Sequence, residues 1–373
     1  MNASQLKKLM KFHRGFGMVL GILVLMWSLT GVLHPIMSAT QPQPAKRMPP
    51  FQQLHLEHAM PASQVLQQHS ITQFSTLQAI ELQPKLVAYR VLKPNQNSAE
   101  YYDSQTSQFI DHGEQHDAKR LALWYTGLAK EQIVSAKLIT EFSHDYQSVN
   151  SLLPVWRVSF DNGLRAYVDP SQSRLATLSN DQKMWMARIF RLGHTWTWGD
   201  QAWLGQTILM QIALIGILVL VVMGVGLFFK IHNRKNHRLR QKPSRFLHRY
   251  LAISLSVFIT LWLISGFYHV WQKKPAVQNI QPIFNTQDLS LEAWQTATQQ
   301  PLQRLNLVPI ALNNAQAVAG WMVQFVGTPQ MQGSMTAVKE HDHHNQAKSA
   351  APTIELIDAK TSAKLDILEQ SKR

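Results

Sequence analysis

Three long segments of this chain contain no Asp, Glu, Lys or Arg, and they constrain its fold more than any other feature of the sequence. Their apolar cores are residues 16–33, 204–229 and 251–267. A helix that crosses the hydrocarbon core of a membrane needs about 20 mostly apolar residues. Each segment meets this requirement, and the mean hydropathy of the chain is only −0.15, so its apolar residues are concentrated there. The sequence therefore predicts a membrane α-helical protein with three transmembrane helices.

Basic residues beside these segments predict the orientation of the chain. Four precede the first segment and eight lie between the second and the third: Lys7, Lys8, Lys11, Arg14, Lys230, Arg234, Lys235, Arg238, Arg240, Lys242, Arg245 and Arg249. Short flanking loops rich in Lys and Arg face the cytoplasm. The predicted order is a cytoplasmic N-terminus (1–14), a span (15–38), a periplasmic region (39–203), a second span (204–229), a basic cytoplasmic loop (230–249), a third span (250–271) and a periplasmic region (272–373).

The first predicted span has the basic start and apolar run of a signal peptide. The run is long for the apolar region of a signal peptide, and no good small-x-small cleavage site follows Gly31. We therefore expect this helix to be retained as a span.

Composition and motifs argue against several classes of function. The net charge of +14 comes largely from the cytoplasmic basic residues, and no nucleic-acid-binding module is visible, so we expect membrane lipid and no nucleic acid as partners. The chain has no Cys, which excludes disulfides and thiolate chemistry. It has neither a P-loop nor a Gly-x-Gly-x-x-Gly motif, so no flavin or nucleotide site is visible.

The predicted periplasmic regions contain one pattern three times. An alternating strand followed by a strand–turn–strand hairpin occurs within residues 86–110, 154–178 and 320–367. A predicted helix precedes each pattern, at about 61–69, 116–133 and 290–299. The sequence thus predicts three extracytoplasmic α+β units of one plan, two at about 60–112 and 116–180 and the third within 272–373.

Each predicted hairpin turn begins with an acidic residue, namely Asp103, Asp169 or Asp358. An Asp carboxylate in this position can accept a hydrogen bond from the backbone two residues further on, which stabilises the turn. We interpret these residues as structural rather than catalytic.

With these hairpins and spans, the chain resembles the PepSY-associated transmembrane family, bacterial inner-membrane proteins of iron acquisition. The turns resemble the Asp-x-x-Thr-Gly turn of that family, with Ser107, Ser173 and Ser362 in place of its glycine. A residue other than Gly there must adopt a positive φ, or the turn must be of another type. The resemblance covers nearly the whole chain and implies an inner-membrane protein with PepSY-like units. Some members look like haem-containing reductases of ferric siderophores, and other PepSY modules are associated with the restraint of peptidases.

Histidines recur at the same spacing in the first and third predicted spans. His13 and His248 each begin a His-Arg pair, and His34 and His269 each follow 21 residues later. In a helix, 21 residues rise about 31 Å, which matches the thickness of the hydrocarbon core. If the two parallel helices face each other, His13 meets His248 and His34 meets His269. Because two facing imidazoles can bind one haem iron, the pattern predicts two haems, which we expect to be of b type. Interfacial or packing histidines and a non-haem metal are the alternatives.

Three further residues are candidates for the same site. His194, just before the second span, could replace either outer histidine as a haem ligand or contact a substrate. Trp27 and Trp262 each follow the first histidine of their span by 14 residues. They could pack against a porphyrin or between helices, or act as stepping-stones for electrons. The sequence also indicates an aromatic belt at the membrane interface, formed by Trp196, Trp198 and Trp203.

A His-rich tract lies in an insertion of the third predicted unit and contains His341, His343 and His344. Such tracts often bind metals. Because this one lies in a polar loop, a dedicated metal site, adventitious binding and no role all remain open.

These observations predict a haem-containing electron-transfer protein of the bacterial inner membrane. It would pass single electrons outward to a ferric siderophore or another iron chelate, from a quinol or a cytoplasmic reductase. The main alternative is a non-enzymatic, membrane-anchored PepSY module that regulates a peptidase or a transporter, and a third is a protein that handles haem or iron without turnover. The sequence assigns no catalytic residue and no oligomeric state.

Overall fold

The computed structural model describes residues 3–147, 150–198, 204–232, 243–271, 282–311, 317–325 and 354–365. Its helices are α1 (Ala3–Gly31), α2 (Leu33–Thr40), α3 (Ala62–Gln68), α4 (Gly113–Thr126), α5 (Asp181–Phe190), α6 (Leu204–His232), α7 (Pro243–Trp271) and α8 (Leu291–Ala297). Its strands are β1 (Gln73–Phe74), β2 (Thr76–Gln83), β3 (Leu86–Leu92), β4 (Glu100–Asp103), β5 (Phe109–Ile110), β6 (Ile133–Ile139), β7 (Val155–Phe160), β8 (Arg165–Asp169), β9 (Arg174–Ser179), β10 (Phe284–Asn285), β11 (Leu302–Ala311), β12 (Ala317–Phe325), β13 (Ile354–Asp358) and β14 (Lys364–Leu365).

Three helical segments are long and apolar enough to cross a membrane, which confirms the prediction of three spans. They are Ser4–Thr40, Gly205–Ile231 and Pro243–Tyr268. The first comprises α1 and α2, which are separated only by Val32, whose backbone is itself helical (φ −63°, ψ −24°).

The helices extend further than the sequence analysis expected. Residues 230–249 were predicted as a loop, but α6 continues to His232 and α7 begins at Pro243. Lys and Arg are good helix formers, and Pro is favoured in the first helical turn because its φ is already helical. A helix of 29 residues such as α6 is about 43 Å long, so its ends extend beyond a hydrocarbon core of about 30 Å.

The spanning helices belong to one compact unit, made of residues 1–41, 142–147 and 180–278. In it, α6 packs against both α1 and α7. The apolar core of this unit consists of Leu20, Trp27, Trp196, Ala213, Leu214, Ile217 and Leu263. Other large apolar side chains of the spans, such as Met18, Ile22 and Phe258, are 66–69% exposed, as expected for a surface that faces lipid.

The second compact unit, made of residues 42–141, 148–179 and 279–373, contains three repeats of one plan. In each repeat a helix precedes four antiparallel strands: α3 with β2–β5, α4 with β6–β9, and α8 with β11–β14. The sequence patterns indicated the last three strands and missed the first one of each repeat. They also extended the second helix to about residue 133, whereas α4 ends at Thr126 because Gly127 adopts a left-handed conformation (φ 70°).

The first and third repeats share a single sheet with the strand order β14-β13-β12-β11-β2-β3-β4-β5. At the junction, β11 pairs antiparallel with β2, and Leu305 lies opposite Ala79. The core beneath includes Trp294 of α8, which makes edge-to-face contacts with Tyr89 and with Trp321 at 5.6 Å between ring centroids. The second repeat has a separate sheet with the order β6-β7-β8-β9.

The acidic residue of each hairpin turn binds the backbone as predicted. Oδ1 of Asp103 accepts hydrogen bonds of 2.7 and 2.9 Å from the N–H groups two and three residues further on. Asp358 makes the same two contacts at 2.9 and 2.7 Å, and Asp169 accepts one of 2.8 Å. The residues in place of the glycine have positive φ: Ser107 (60°), Ser173 (50°) and Ser362 (65°). The first of the two alternatives is therefore correct, and the turns keep their type at some cost in backbone strain.

A buried ion pair joins the first repeat to the second. Arg90 of β3 donates to Glu114 of α4 at 2.6 Å, and each side chain is only 5% exposed. The second carboxylate oxygen accepts from Ser98 Oγ (2.7 Å), Ala99 N (3.1 Å) and Trp156 Nε1 (3.3 Å). Because both charges are buried, neither has water to replace a lost partner.

Candidate functional site in the membrane unit

His13 of α1 lies against α6, where Gly224 leaves space for it. A Cβ atom at position 224 would lie 3.2 Å from His13 Cε1, closer than side chains normally pack. His13 Nδ1 is buried, and it has no hydrogen-bond partner among the described residues. Buried polar atoms in folded proteins are almost always partnered, so this nitrogen retains the capacity to bind a ligand or a proton donor.

His248 of α7 is the predicted partner of His13 in the inner pair. The side chain of His248 is exposed, whereas that of His13 is half-buried. A direct contact between the two imidazoles stays a prediction.

His194 occupies a single turn of π-helix, Arg191–Thr195, which directly follows α5. Its Nδ1 lies 3.2 Å from the carbonyl oxygen of Trp27 and 3.4 Å from Thr30 Oγ1. Its ring covers Gly31, where a Cβ atom would lie 3.2 Å from His194 Cε1. The imidazole is therefore held against α1, and π-turns of this kind are frequent at functional sites.

The contact with Trp27 determines which nitrogen of His194 is free. A carbonyl oxygen can only accept a hydrogen bond, so the hydrogen of the neutral ring lies on Nδ1 and the lone pair on Nε2. Burial lowers the pKa of His194, and nearby His34 lowers it further, although the bond to the Trp27 carbonyl opposes both effects. A neutral imidazole with one N–H bound to a carbonyl is the usual state of a histidine that binds a metal through its other nitrogen.

His34 of α2 belongs to the same group of rings as His194. The ring of Phe190, the last residue of α5, stacks on His194 at 4.7 Å and lies 5.8 Å from His34. Both imidazoles therefore contact the same phenyl ring. His269 lies in α7, but its side chain is outside the described part of the chain. Of the outer candidates, the described side chains therefore bring His34 and His194 together.

Trp27 lies at the centre of an aromatic cluster between the helices. It is 3% exposed, stacks on Trp196 at 5.1 Å and meets the edge of Trp262 at 5.5 Å. Trp196 is only 8% exposed, so its assignment to an aromatic belt was wrong. It is buried because it packs on a residue far away in the sequence. Trp198 is 56% exposed, and Trp203 lies outside the described residues.

The metal candidates of the third repeat, His341, His343 and His344, also lie outside the described residues. Within the part of the chain that is described, no three His, Asp or Glu side chains converge in a group that could hold a metal ion. Sequence reasoning also missed the roles of Phe190 and Gly224.

Comparison with known proteins agrees with this architecture. No curated protein and no solved structure matches the chain. A family model described as the PepSY-associated TM region matches residues 10–362, which cover most of the first span and of the third repeat and all of the elements between them. The chain therefore belongs to the PepSY-associated TM region family.

Proposed function

We propose that this protein transfers single electrons across the bacterial inner membrane through two haems and reduces ferric chelates at the periplasmic face. The observation that carries the proposal is the state of His194. Its Nδ1 is bound to a carbonyl, its Nε2 carries the lone pair of the neutral ring, and it shares with His34 a contact with the Phe190 ring. That combination supports a pair of iron ligands near the outer end of the first span.

The inner histidines support a second haem. His13 has a buried Nδ1 without a described partner, its ring packs against Gly224 of α6, and His248 begins the matching His-Arg pair of the third span. Imidazole is a ligand that suits iron, so this donor set fits a haem held by two histidines. When bound, such a haem supplies one-electron transfer at a potential that its axial ligands and burial set.

The side chains of the spans would hold the two haems at a set distance and keep water away from the space between them. His13 of α1 and His34 of α2 belong to the first span, and they are about 31 Å apart along its axis. The rings of Trp27, Trp196 and Trp262 lie in van der Waals contact before the outer histidine, about 10 Å from it along α1. They exclude water from this part of the span and provide an aromatic bridge over a distance that is long for one electron step.

The direction of transfer follows from the basic residues of the chain. With the Lys- and Arg-rich ends in the cytoplasm, the three repeats are periplasmic. The donor would be a quinol or a cytoplasmic reductase, since no flavin or nucleotide motif is visible. At the outer face one electron converts chelated Fe(III) to Fe(II), which such chelators hold far less well, and the iron is released.

An optical spectrum of the purified full-length protein tests the proposal. We expect a sharp Soret band and resolved α and β bands on reduction, which are typical of low-spin iron with two histidine ligands. His13→Ala and His248→Ala should each affect one haem, and His34→Ala and His194→Ala the other. Because the side chain of His269 is not described, His269→Ala is measured beside them. His58→Ala, which changes an exposed histidine of the second compact unit, is the matched control and should leave the spectrum unchanged.

A colourless protein after expression with ample haem would contradict the proposal. The second candidate function is then the anchored interaction module. It is favoured by the β5 edge of the eight-stranded sheet, where Phe109 is 53% exposed. An exposed sheet edge can accept an extended strand from a partner protein.

A further inference from the structure

The second compact unit contains a basic cleft that the proposed electron transfer does not use. Its volume is about 410 Å³, within the range of roughly 300–1,000 Å³ that is common for ligand pockets. One wall is formed by residues of the segment 43–49, which follows the first span, and the other by residues 172–175, between β8 and β9. Tyr125, near the end of α4, lies between them.

Three cations line this cleft: Lys46, Arg47 and Arg174. All three side chains are exposed, and none forms an ion pair with an acidic side chain in the described part of the chain. Like charges in one cleft repel one another, and the repulsion is relieved when an anion enters. The cleft therefore has the charge of an anion-binding site.

The first wall of the cleft is attached to α4 at three points. Ala45 N donates to the carbonyl of Tyr125 at 2.8 Å, and Trp124 Nε1 donates to the carbonyl of Met48 at 2.9 Å. Lys46 Nζ lies 3.4 Å above the ring of Trp124, a cation–π contact. A wall held in this way loses little conformational entropy when a ligand binds.

The second wall is connected to the same helix. The hydroxyl of Tyr125 donates to the carbonyl of Ser173 at 2.7 Å. Ser173 has the left-handed conformation of the hairpin turn, and Arg174 follows it directly as the first residue of β9. Both walls are thus attached to α4, so Arg174 lines the same cleft as Lys46 and Arg47.

We propose that this cleft binds a multivalent oxyanion. Arg guanidinium groups bind carboxylate and phosphate oxygens with paired hydrogen bonds, and Lys adds a compact positive charge. Two sources share this chemistry: a soluble metal chelate that carries carboxylates, and the headgroup of an anionic phospholipid. The first source rests on the function proposed above. The second source, a phospholipid headgroup, does not rest on that function. It is supported by the position of Lys46, which follows the last residue of the first span by only six positions.

The test uses the full-length protein in nanodiscs of phosphatidylcholine. Isothermal titration with gallium(III) citrate measures the soluble source without any electron transfer, because gallium(III) is not reduced under these conditions. Native mass spectrometry after reconstitution with phosphatidylglycerol counts the retained anionic lipids. Lys46→Gln, Arg47→Gln and Arg174→Gln are combined in one variant. Its matched control combines Lys85→Gln, Lys130→Gln and Lys137→Gln, which remove the same charge elsewhere in the second compact unit.

We expect the cleft variant to weaken one of the two interactions by about tenfold or more, because it removes all three positive charges from the cleft, and the control to change neither strongly. A third variant that exchanges Lys and Arg at the three cleft positions should retain binding. Loss of gallium citrate binding identifies a soluble anion, and loss of retained phosphatidylglycerol identifies a lipid headgroup.

The inference is overturned if the wild-type protein binds neither probe, or if the cleft variant and its control behave alike in both measurements. Neither readout depends on haem. A colourless protein that still binds gallium citrate through this cleft would contradict the proposed function and leave the anion site intact.

Discussion

Trp27 and His194 are linked by two reciprocal hydrogen bonds, although they are 167 positions apart in the sequence. Trp27 Nε1 donates to the carbonyl of His194 at 3.0 Å, and His194 Nδ1 donates to the carbonyl of Trp27 at 3.2 Å. These two hydrogen bonds hold the π-helical turn Arg191–Thr195, which lies before α6 in the chain, against the first span. It also sets the tautomer of His194, on which the proposed outer haem depends.

Trp27→Phe should disturb the outer histidines because it removes one of these two hydrogen bonds. We expect a loss of about 1 kcal/mol in the free energy of unfolding and a change in the spectrum of one haem. Trp262→Phe is the matched control, since Trp262 occupies the corresponding place in α7 and contacts Trp27 only through its ring edge in the described structure. Haem absorption and thermal unfolding of both variants measure the difference. Equal effects of the two substitutions would refute a special role for Trp27.

Gly31→Val should displace His194, because even a Cβ atom at position 31 would lie 3.2 Å from its ring. The control is Gly21→Val on the same helix, where a Cβ atom meets nothing within 4 Å. Only the first variant should lose the low-spin signal of the outer haem, measured by electron paramagnetic resonance. An unchanged signal in Gly31→Val would show that His194 is not a ligand.

Gly224→Val should displace His13, a member of the proposed inner pair of haem ligands. A Cβ atom at position 224 would lie 3.2 Å from His13, whereas position 226 has nothing within 4 Å. Gly226→Val is therefore the control for the same substitution in α6. We expect the inner haem signal to be lost in the first variant alone. If both variants lose it, the cause is a general disturbance of α6 and not the space beside His13.

Ser107→Gly and Ser362→Gly should stabilise the protein, because each removes a side chain from a left-handed conformation with φ near 60°. That conformation costs a residue other than Gly about 1–2 kcal/mol, and the greater freedom of Gly in the unfolded chain offsets part of the gain. We expect about 0.5–1 kcal/mol for each change. Ser135→Gly in β6 serves as the control and should lower the free energy of unfolding of the protein. Denaturant unfolding of the full-length protein measures all three, and a loss of stability in both turn variants would be inconsistent with strain.

Glu114→Ala should destabilise the protein by about 3–5 kcal/mol, because it leaves the buried charge of Arg90 without its partner. Glu355→Ala is the comparison, since its ion pair with Lys364 is largely exposed and should contribute about 1 kcal/mol or less. Both are measured by thermal unfolding. Similar losses in the two variants would mean that the buried pair is not what joins the first and second repeats.

Features that depend only on residues close together in the chain were predictable from the amino-acid sequence. Three apolar segments are enough to predict three spans, because the thickness of a membrane requires a certain length of apolar helix. The turn at Asp358 was predictable for a similar reason, since its carboxylate binds N–H groups only two and three residues away. The spacing of 21 residues between His13 and His34 also reflects local helical geometry, since both lie in the first helical span.

The contacts between segments far apart in the chain were not predictable in this way and are known only from the folded structure. The antiparallel pairing of β11 with β2, which joins the first and third repeats, links strands more than 200 positions apart, and alternation within one strand does not specify its partner. His34 lies beside His194, and Trp196 is buried on Trp27, because the turn before α6 packs on the first span. The side-chain pattern of a segment reports which face is buried, but contacts across the fold determine what covers that face.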